Sequence, residues 1–362
     1  MCGVRWVAIR NVRANSVLAQ PILDERGRIL LARGVLLSDN LLVKLRTLGI
    51  GSVCVEDALT DDIVGKDFIS PHVRQQMLDA TYSSLNDLAS GTHVRYVRGA
   101  RLRQKLRPLV EEVIEELRNL GGAEQFGTVY LSDGELYHHS VNVALFALSV
   151  GLGMKLSADQ LLDLGIGALL HDVGKMRIPE KVLKKPGRLT DAEYTEMKLH
   201  AQYGYEILLN DHDLHGSARL ISYEHHERMD GTGYPRGLVG GDIHLFGRIT
   251  AVVDVYEALT ANRVYRPAYL PHEAYELILG GGGTQFDATV VDGFVDAISI
   301  YPVGMTVELS SGYRGVVIHS PRRQTQRPLV RVIEDDNGQP VSQPFELDLS
   351  RELTVQIIGC EI

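Results

Sequence analysis

Nine of the thirteen histidines fall between residues 138 and 244, in a region that also carries carboxylates at helical spacing. Imidazole and carboxylate without thiolate form the donor set that suits iron, manganese or zinc. Glu135 and His139 stand four apart, so on a helix they leave one face and can share an ion. Alone, such a pair reads as a surface hydrogen bond. In Leu169-Leu170-His171-Asp172-Val173-Gly174-Lys175 an apolar run ends in an adjacent imidazole and carboxylate. Burying those two groups is costly unless something pairs with them. A metal pair does so, with the Asp bridging two ions; for an isolated His-Asp the alternative is a helix end capped by Asp and stopped by Gly. His200, taken alone, is a core histidine. His225 and His226 follow in Tyr223-Glu224-His225-His226-Glu227. Asp254 lies between Val253 and Val255, where a buried carboxylate needs a cation, either a metal or a nearby Arg or Lys. Two or three ions held by such groups clamp a phosphate, generate hydroxide near neutral pH and stabilise a departing oxygen.

The loop Asp230-Gly231-Thr232-Gly233-Tyr234-Pro235-Arg236-Gly237 is the most specific stretch. Its three glycines permit positive φ and close approach to a ligand. Pro235 stiffens it, and Tyr234 can reach a base or a partner protein. Without the histidines it would be a turn.

These residues need helices to carry them. From about Leu131 to Asp296 the pattern is a series of helices broken by Gly and Pro loops, one opened by the capping box Thr190-Asp191-Ala192-Glu193. Ahead of it, Pro71 to Leu120 is mostly helical, with an apolar stripe of Val110, Val113, Ile114 and Leu117. The basic run Arg95 to Arg107 reads as a solvated face or a connector. In the first ~70 residues, Val17–Leu18 and Ile29–Leu31 suggest strands around the turn Asp24 to Gly27, then a helix from Ser38 to Leu48 and a strand at Val53–Val55. Beyond Pro302 the short β-branched runs Thr306–Leu309, Gly315–Ile318, Leu329–Ile333 and Thr354–Ile358 predict a β-rich appendage, with Asp336-Asn337-Gly338 as a turn. Gly280–Gly283 reads as a flexible loop. The expected organisation is a small α/β module over 1–70, a helical connector over 71–130, a catalytic helical domain over 131–300 and a β-rich extension over 301–362.

The formal net charge is −9, with 44% hydrophobic and 23% charged residues. That excludes a protein that coats DNA or RNA through a broad basic face, but not one that binds a small anion at a local cluster of positive charge. Cys2, Cys54 and Cys360 make no Cys-x-x-Cys pair, which argues against a disulfide framework and for a reducing cytoplasm. The start lacks the apolar core of a signal peptide, and Ser140 to Met154, the longest uncharged stretch, is shorter than the ~20 residues of a membrane span.

His171-Asp172 together with Gly233-Tyr234-Pro235 resembles the HD-GYP family, a branch of the HD-domain phosphohydrolases. The likeness continues through His139-Ser140-Val141-Asn142, Asp254-Val255-Tyr256-Glu257-Ala258-Leu259-Thr260, Arg263-Val264-Tyr265-Arg266 and Gly283-Thr284-Gln285-Phe286-Asp287, covering roughly residues 131 to 300. It implies a mainly α fold, an HD-type helical bundle, flanked here by the N-terminal α/β module and the β-rich extension. It implies hydrolysis of cyclic di-GMP to the linear dinucleotide pGpG, in some members onward to GMP. By motif, the metal ligands are His139, His171, Asp172, His200, His225, His226 and Asp254. Glu135 takes the position that in some members holds a third ion. The cofactors implied are two or three divalent ions, iron or manganese. Asp172 would bridge two ions, and Lys175 would offset phosphate charge or assist the leaving oxygen. Arg263 and Arg266 match the cations that contact phosphate and base, and Tyr234 belongs to the substrate loop. The same loop and the N-terminal module are candidate docking places for a signalling protein, and the module is also a candidate homodimer surface.

There are departures: Ile243-His244 where relatives usually carry Ile-Pro, Gly247 before Arg248, Val253 before Asp254, and the Gly-rich 280–283 stretch. None removes a ligand. Two rival readings stay open: a phosphohydrolase acting on another nucleotide or cyclic dinucleotide, and a non-catalytic cyclic-dinucleotide receptor.

Overall fold

The computed structural model describes residues 4–24, 26–60, 62–63, 69–89, 102–119, 136–261, 268–321 and 323–361. Glu135, Arg263 and Arg266 lie outside the described residues. The N-terminal module pairs β1 (Val4–Ala8) with the last of its strands, β6 (Ser52–Glu56), antiparallel. Between them run β2 (Ser16–Val17), β3 (Ile22–Leu23), β4 (Ile29–Leu31), β5 (Leu36–Leu37) and helix α1 (Asp39–Thr47). The strand that pairs across the Asp24 turn is Ile22–Leu23, whereas Ser16–Val17 pairs with Leu36–Leu37. Asp24 fixes this: its Oδ1 accepts the N–H groups of Arg26 and Arg28, which closes the turn two residues after Ile22. Helix α1 starts at Ser38, whose hydroxyl accepts the Leu41 N–H, and buries Leu42 and Leu45 against Val7, Leu18 and Val53.

Eleven helices are described in all, and ten of them follow α1's module. They are α2 (Pro71–Ala89), α3 (Leu102–Asn119), α4 (Leu136–Gly153), α5 (Ala158–Leu169), the single-turn α6 (Glu180–Leu183), α7 (Asp191–Leu209), α8 (Gly216–Glu224), α9 (Leu245–Thr260), α10 (Pro271–Gly280) and α11 (Ala288–Ala297). Helix α4 is buried on every side from His138 to Gly151, as an all-round apolar helix must be. It packs against α2, α5, α9 and α11. Helix α3 turns Leu106, Val110, Val113, Ile114 and Leu117 inward, so α2 and α3 share the core of the bundle and are more than a connector. The described part of the basic run behaves as a helix face: Arg107 pairs with Glu111 in solvent, and Arg103 reaches Asp163 at 3.5 Å.

The last sixty residues form one antiparallel sheet in the order β10-β9-β8-β7-β11, built from β7 (Thr306–Leu309), β8 (Arg314–His319), β9 (Leu329–Glu334), β10 (Pro340–Asp348) and β11 (Ile357–Cys360). Its inward residues Val307, Val317, Val330 and Val332 join the core of the bundle. The two ends of the chain meet on this sheet. The Trp6 N–H donates to the Gly304 carbonyl (2.9 Å), the Thr306 hydroxyl to the Trp6 carbonyl (2.7 Å) and the Ala8 N–H to Glu361 Oε2 (3.1 Å). Ile63 packs on Val316 and Ile333. Among the described residues no helix is long and apolar enough to cross a membrane.

Candidate metal centre

Five segments converge beside α4. His139 comes from the second turn of α4, His171 and Asp172 from the turn after α5, His200 from the middle of α7, His225 and His226 from the end of α8, and Asp254 from α9. Glycines let these segments approach. A Cβ on Gly174 would lie 1.9 Å from the His200 carbonyl oxygen, and one on Gly204 would lie 2.1 Å from Ser222 Oγ. That hydroxyl in turn donates to the His171 carbonyl at 2.7 Å, tying the His-Asp turn to α8.

Backbone carbonyls set the tautomers. Nδ1–H of His171 donates to Ala168 O (2.7 Å), that of His200 to Met197 O (2.7 Å), and that of His225 to Ile221 O (3.0 Å) and Ser222 O (3.1 Å). A carbonyl only accepts, so each Nδ1 carries a proton, and in the neutral imidazole Nε2 is left with a lone pair turned inward. Nε2 of His200 and Nε2 of His225 then face each other at 3.3 Å with no proton between them. His171 Nε2 and Asp172 Oδ1 are buried without a hydrogen-bond partner. Facing lone pairs and orphaned acceptors are what a cation satisfies. Three donor sets have all their ligating atoms within 4.8 Å of one another: His139, His171 and Asp254; His171, Asp172 and His225; and His200, His225 and His226. The residues present therefore fit divalent metal.

Asp172 stands at the middle. Its Oδ2 lies 3.5 Å from His139 Nε2 and 3.3 Å from His171 Nε2, and its Oδ1 lies 3.5 Å from His200 Nε2 and 3.8 Å from His225 Nε2. One carboxylate oxygen thus faces each pair of imidazoles. Its side chain caps nothing, which removes the helix-end alternative. Asp254 Oδ1 is 3.1 Å from His139 Nε2 and 3.9 Å from His171 Nε2, so among the described residues its ion-pair neighbours are imidazoles. Lys175 Nζ bonds Asp172 Oδ2 from the partly open side.

Burial dominates the electrostatics. It would raise Asp172, but Lys175 and the imidazoles hold its carboxyl well below the usual range. Burial would raise Asp254 likewise, and His139 and His171 hold it well below. Burial, then the neighbouring His226, His171 and His200, pushes His225 well below an ordinary imidazole, and burial and His200 push His226 down to about 3. His139 goes the other way: burial would lower it, but Glu257, Asp172 and Asp254 override that and raise it well above. Neutral His200, His225 and His226 beside ionised Asp172 and Asp254 are ready ligands.

Glu257 was not singled out by sequence reasoning. Its Oε2 meets His139 Nδ1 at 2.5 Å, and its Oε1 accepts from Asn142 Nδ2 at 3.2 Å; Asn142 Oδ1 accepts from Arg74 at 3.1 Å. A carboxylate on the far nitrogen of a ligand imidazole orients the ring and raises its basicity. The available signal was spacing, since Glu257 follows Asp254 by one turn on an apolar helix.

The Gly-rich loop is tied down by two other acids that went unnoticed. Glu227 accepts the N–H groups of Arg236 (2.7 Å) and Leu238 (3.0 Å), and Glu224 accepts the His244 N–H (2.6 Å) and pairs with the Arg236 guanidinium. Gly233 has to be glycine, because a Cβ there would sit 2.4 Å from the Arg228 nitrogen. The Tyr234 ring stacks on His226 at 4.8 Å, with Lys198 Nζ 5.8 Å from its centroid. The stretch 280–283, expected as a flexible loop, is a hydrogen-bonded turn. Gly283 N–H donates to Phe286 O, and the N–H groups of Met229 and Asp230 donate to Gln285 O and Thr284 O. His244 replaces the usual proline as the N-cap of α9, its Nδ1 accepting the Phe246 N–H at 3.2 Å. Of the expected site residues, the structure brings together His139, His171, Asp172, Lys175, His200, His225, His226, Tyr234 and Asp254; Glu135, Arg263 and Arg266 lie outside the described residues.

Residues 128–290 match the HD domain, and residues 306–361 match a KOW domain associated with HD domains. The chain is similar to a cyclic di-GMP phosphodiesterase of Pseudomonas aeruginosa, 38% identical over 232 residues that make 64% of this chain and 56% of the relative. It is similar to a 3'3'-cGAMP-specific phosphodiesterase of Vibrio cholerae, 42% identical over 124 residues, 34% of this chain and 24% of the relative. The chain thus spans about half the length of the first and a quarter of the second. Among solved structures, a protein of Bdellovibrio bacteriovorus described as HDG"Y"P superposes with a TM-score of 0.47 and 14% identity, over 80% of this chain and 98% of that one.

Proposed function

We propose, from the HD-domain match of residues 128–290, that the chain is a phosphodiesterase of the HD-GYP type that hydrolyses cyclic di-GMP. The observation that carries the reading is the inward-facing, proton-free Nε2 pair of His200 and His225 beside the orphaned His171 Nε2 and Asp172 Oδ1. His139, His171, Asp172, His200, His225, His226 and Asp254 would hold two divalent ions, iron or manganese by resemblance, and Glu135 a third. When bound, such ions polarise a phosphoryl oxygen and make water a nucleophile near neutral pH. The chain's own groups do the rest. Lys175 brings positive charge to the open side of Asp172, where a phosphate would lie. Tyr234, packed on His226, walls the opening and offers a base an aromatic face. Arg263 and Arg266 would add charge-assisted contacts to phosphate and guanine. The likeness to a phosphodiesterase named for 3'3'-cGAMP favours one second reading, a preference for the mixed dinucleotide.

The test is anaerobic purification, metal analysis, and chromatography of products from cyclic di-GMP and 3'3'-cGAMP side by side. Metal-dependent appearance of pGpG or GMP from cyclic di-GMP is expected. Faster turnover of 3'3'-cGAMP would shift the substrate, and binding of either dinucleotide without hydrolysis by metal-loaded protein would make the chain a receptor.

A further inference from the structure

A cleft that includes none of the proposed metal ligands lies where the N-terminal module meets α2 and α4. Its interior gives about 70 Å³ to the centres of water-sized molecules. The module lines it with Trp6, Leu18, Ile22 and Val53 among others, and α2 and α4 contribute Arg74 and His138. Both polar residues are buried, at 9% and 8% exposure. An apolar body with one or two fixed polar groups, placed between two units of a chain, is the usual build of a small-molecule site. Filling it would cover the partly exposed Pro21, Ile22 and Ile50, while the guanidinium gives the ligand a cationic end to face.

The polar end of the cleft is wired. Arg74 donates to Asn142 Oδ1 (3.1 Å), Asn142 Nδ2 donates to Glu257 Oε1 (3.2 Å), and Glu257 Oε2 meets His139 Nδ1 (2.5 Å). We infer that this cleft binds a small monocarboxylate with an apolar or aromatic body, its carboxylate on Arg74, and that its occupancy is coupled to the metal centre through Asn142, Glu257 and His139. A carboxylate that draws the guanidinium toward the cleft loosens its hold on Asn142, which changes the support of Glu257 for His139. By linkage, metal in the site then changes affinity for the carboxylate by the same factor. The coupling half rests on the metal-site reading; the binding half does not.

Trp6 is the only tryptophan of the chain, so its emission reports the cleft directly. The full chain is titrated with phenylacetate and with hexanoate, and phenylacetamide is the neutral control. A saturable change in Trp6 emission is expected with at least one carboxylate, with the amide about tenfold weaker or more because it lacks the charge-assisted bond. Ile22→Phe and Ser52→Leu, each of which fills the cleft from a different strand, should abolish the change while keeping a cooperative melt. Arg74→Met should weaken the carboxylate and leave the amide as it was. Manganese titrations with and without saturating phenylacetate should differ by about fivefold or more in affinity. Absence of a saturable signal from both carboxylates, or equal binding in whichever filled variant folds, overturns the site. Binding with unchanged manganese affinity overturns the coupling. A protein that binds phenylacetate but no manganese would instead sink the metal reading.

Discussion

At the scale of single residues, the centre depends on proton positions that the backbone imposes. Four carbonyls take the Nδ1 protons of His171, His200 and His225, and in the neutral rings the inward lone pairs follow. Asp172 is the carboxylate that all of them approach. Asp172→Asn keeps its size and removes its charge, so it should lose bound metal and turnover together while the circular dichroism spectrum stays. A variant that keeps full metal and near wild-type turnover would refute the bridging role. Glu257 acts one layer out. Glu257→Gln should retain the fold and weaken metal binding by roughly 10–100-fold, the usual cost of losing an outer-shell carboxylate. An unchanged manganese affinity in that variant would leave Glu257 as a packing residue.

At the scale of elements, helix ends and loop clamps decide how firmly the ligands are presented. Helix α7, which carries His200, opens with a reciprocal cap: the Thr190 hydroxyl accepts the Glu193 N–H at 3.3 Å, and Glu193 Oε2 accepts the Thr190 N–H at 2.7 Å. Thr190→Ala should cost about 1 kcal/mol in a denaturant melt. A bond from Lys185 and the Thr190 N–H hold the Glu193 carboxyl down to about 2, against 4.5 when unperturbed. A depressed carboxyl stabilises the fold above its unfolded value, so this contribution should be full above pH 4.5 and fade as the pH falls towards 2. A carboxyl-carbon NMR titration with a midpoint near 4.5 would contradict it. The Gly-rich loop is clamped from outside by Glu227. Glu227→Ala should free it, visible as proteolytic cleavage within 231–240 and a raised KM, with metal content unchanged. Resistance equal to the parent protein would mean that Glu224 and the 280–283 turn suffice.

At the scale of the whole molecule, the core runs unbroken from the bundle into the C-terminal sheet, and the N-terminal module bonds to residues at the start of β7 and the end of β11. Cys360 reports this junction. Burial, with Glu361 and Glu308 nearby, pushes its thiol up to about 12, so at pH 8 it is neutral as well as hidden. Native protein should therefore resist iodoacetamide at both Cys54 and Cys360, and denaturant should expose the two. Fast labelling of Cys360 in the folded state would show that the sheet edge opens.

The sequence by itself determined the helical class, the His and Asp positions, the capping box of α7 and the β-rich end. Those features rest on local periodicity, on side-chain chemistry and on motifs continuous along the chain. Pairing partners were less legible: the strand opposite Ile29–Leu31 is chosen by the Asp24 turn, and the predicted strand Thr354–Ile358 moves to Ile357–Cys360 because β7 sets its register. Only the tertiary structure decided which acids serve the centre. Glu257, Glu224 and Glu227 look alike in sequence, yet one holds the His139 imidazole and two hold a loop, because each is assigned by what packs over it. The same holds for the meeting of the chain's ends. Trp6 and Glu361 find their partners some three hundred residues away, and no local pattern encodes a contact whose cost is the closure of the entire chain.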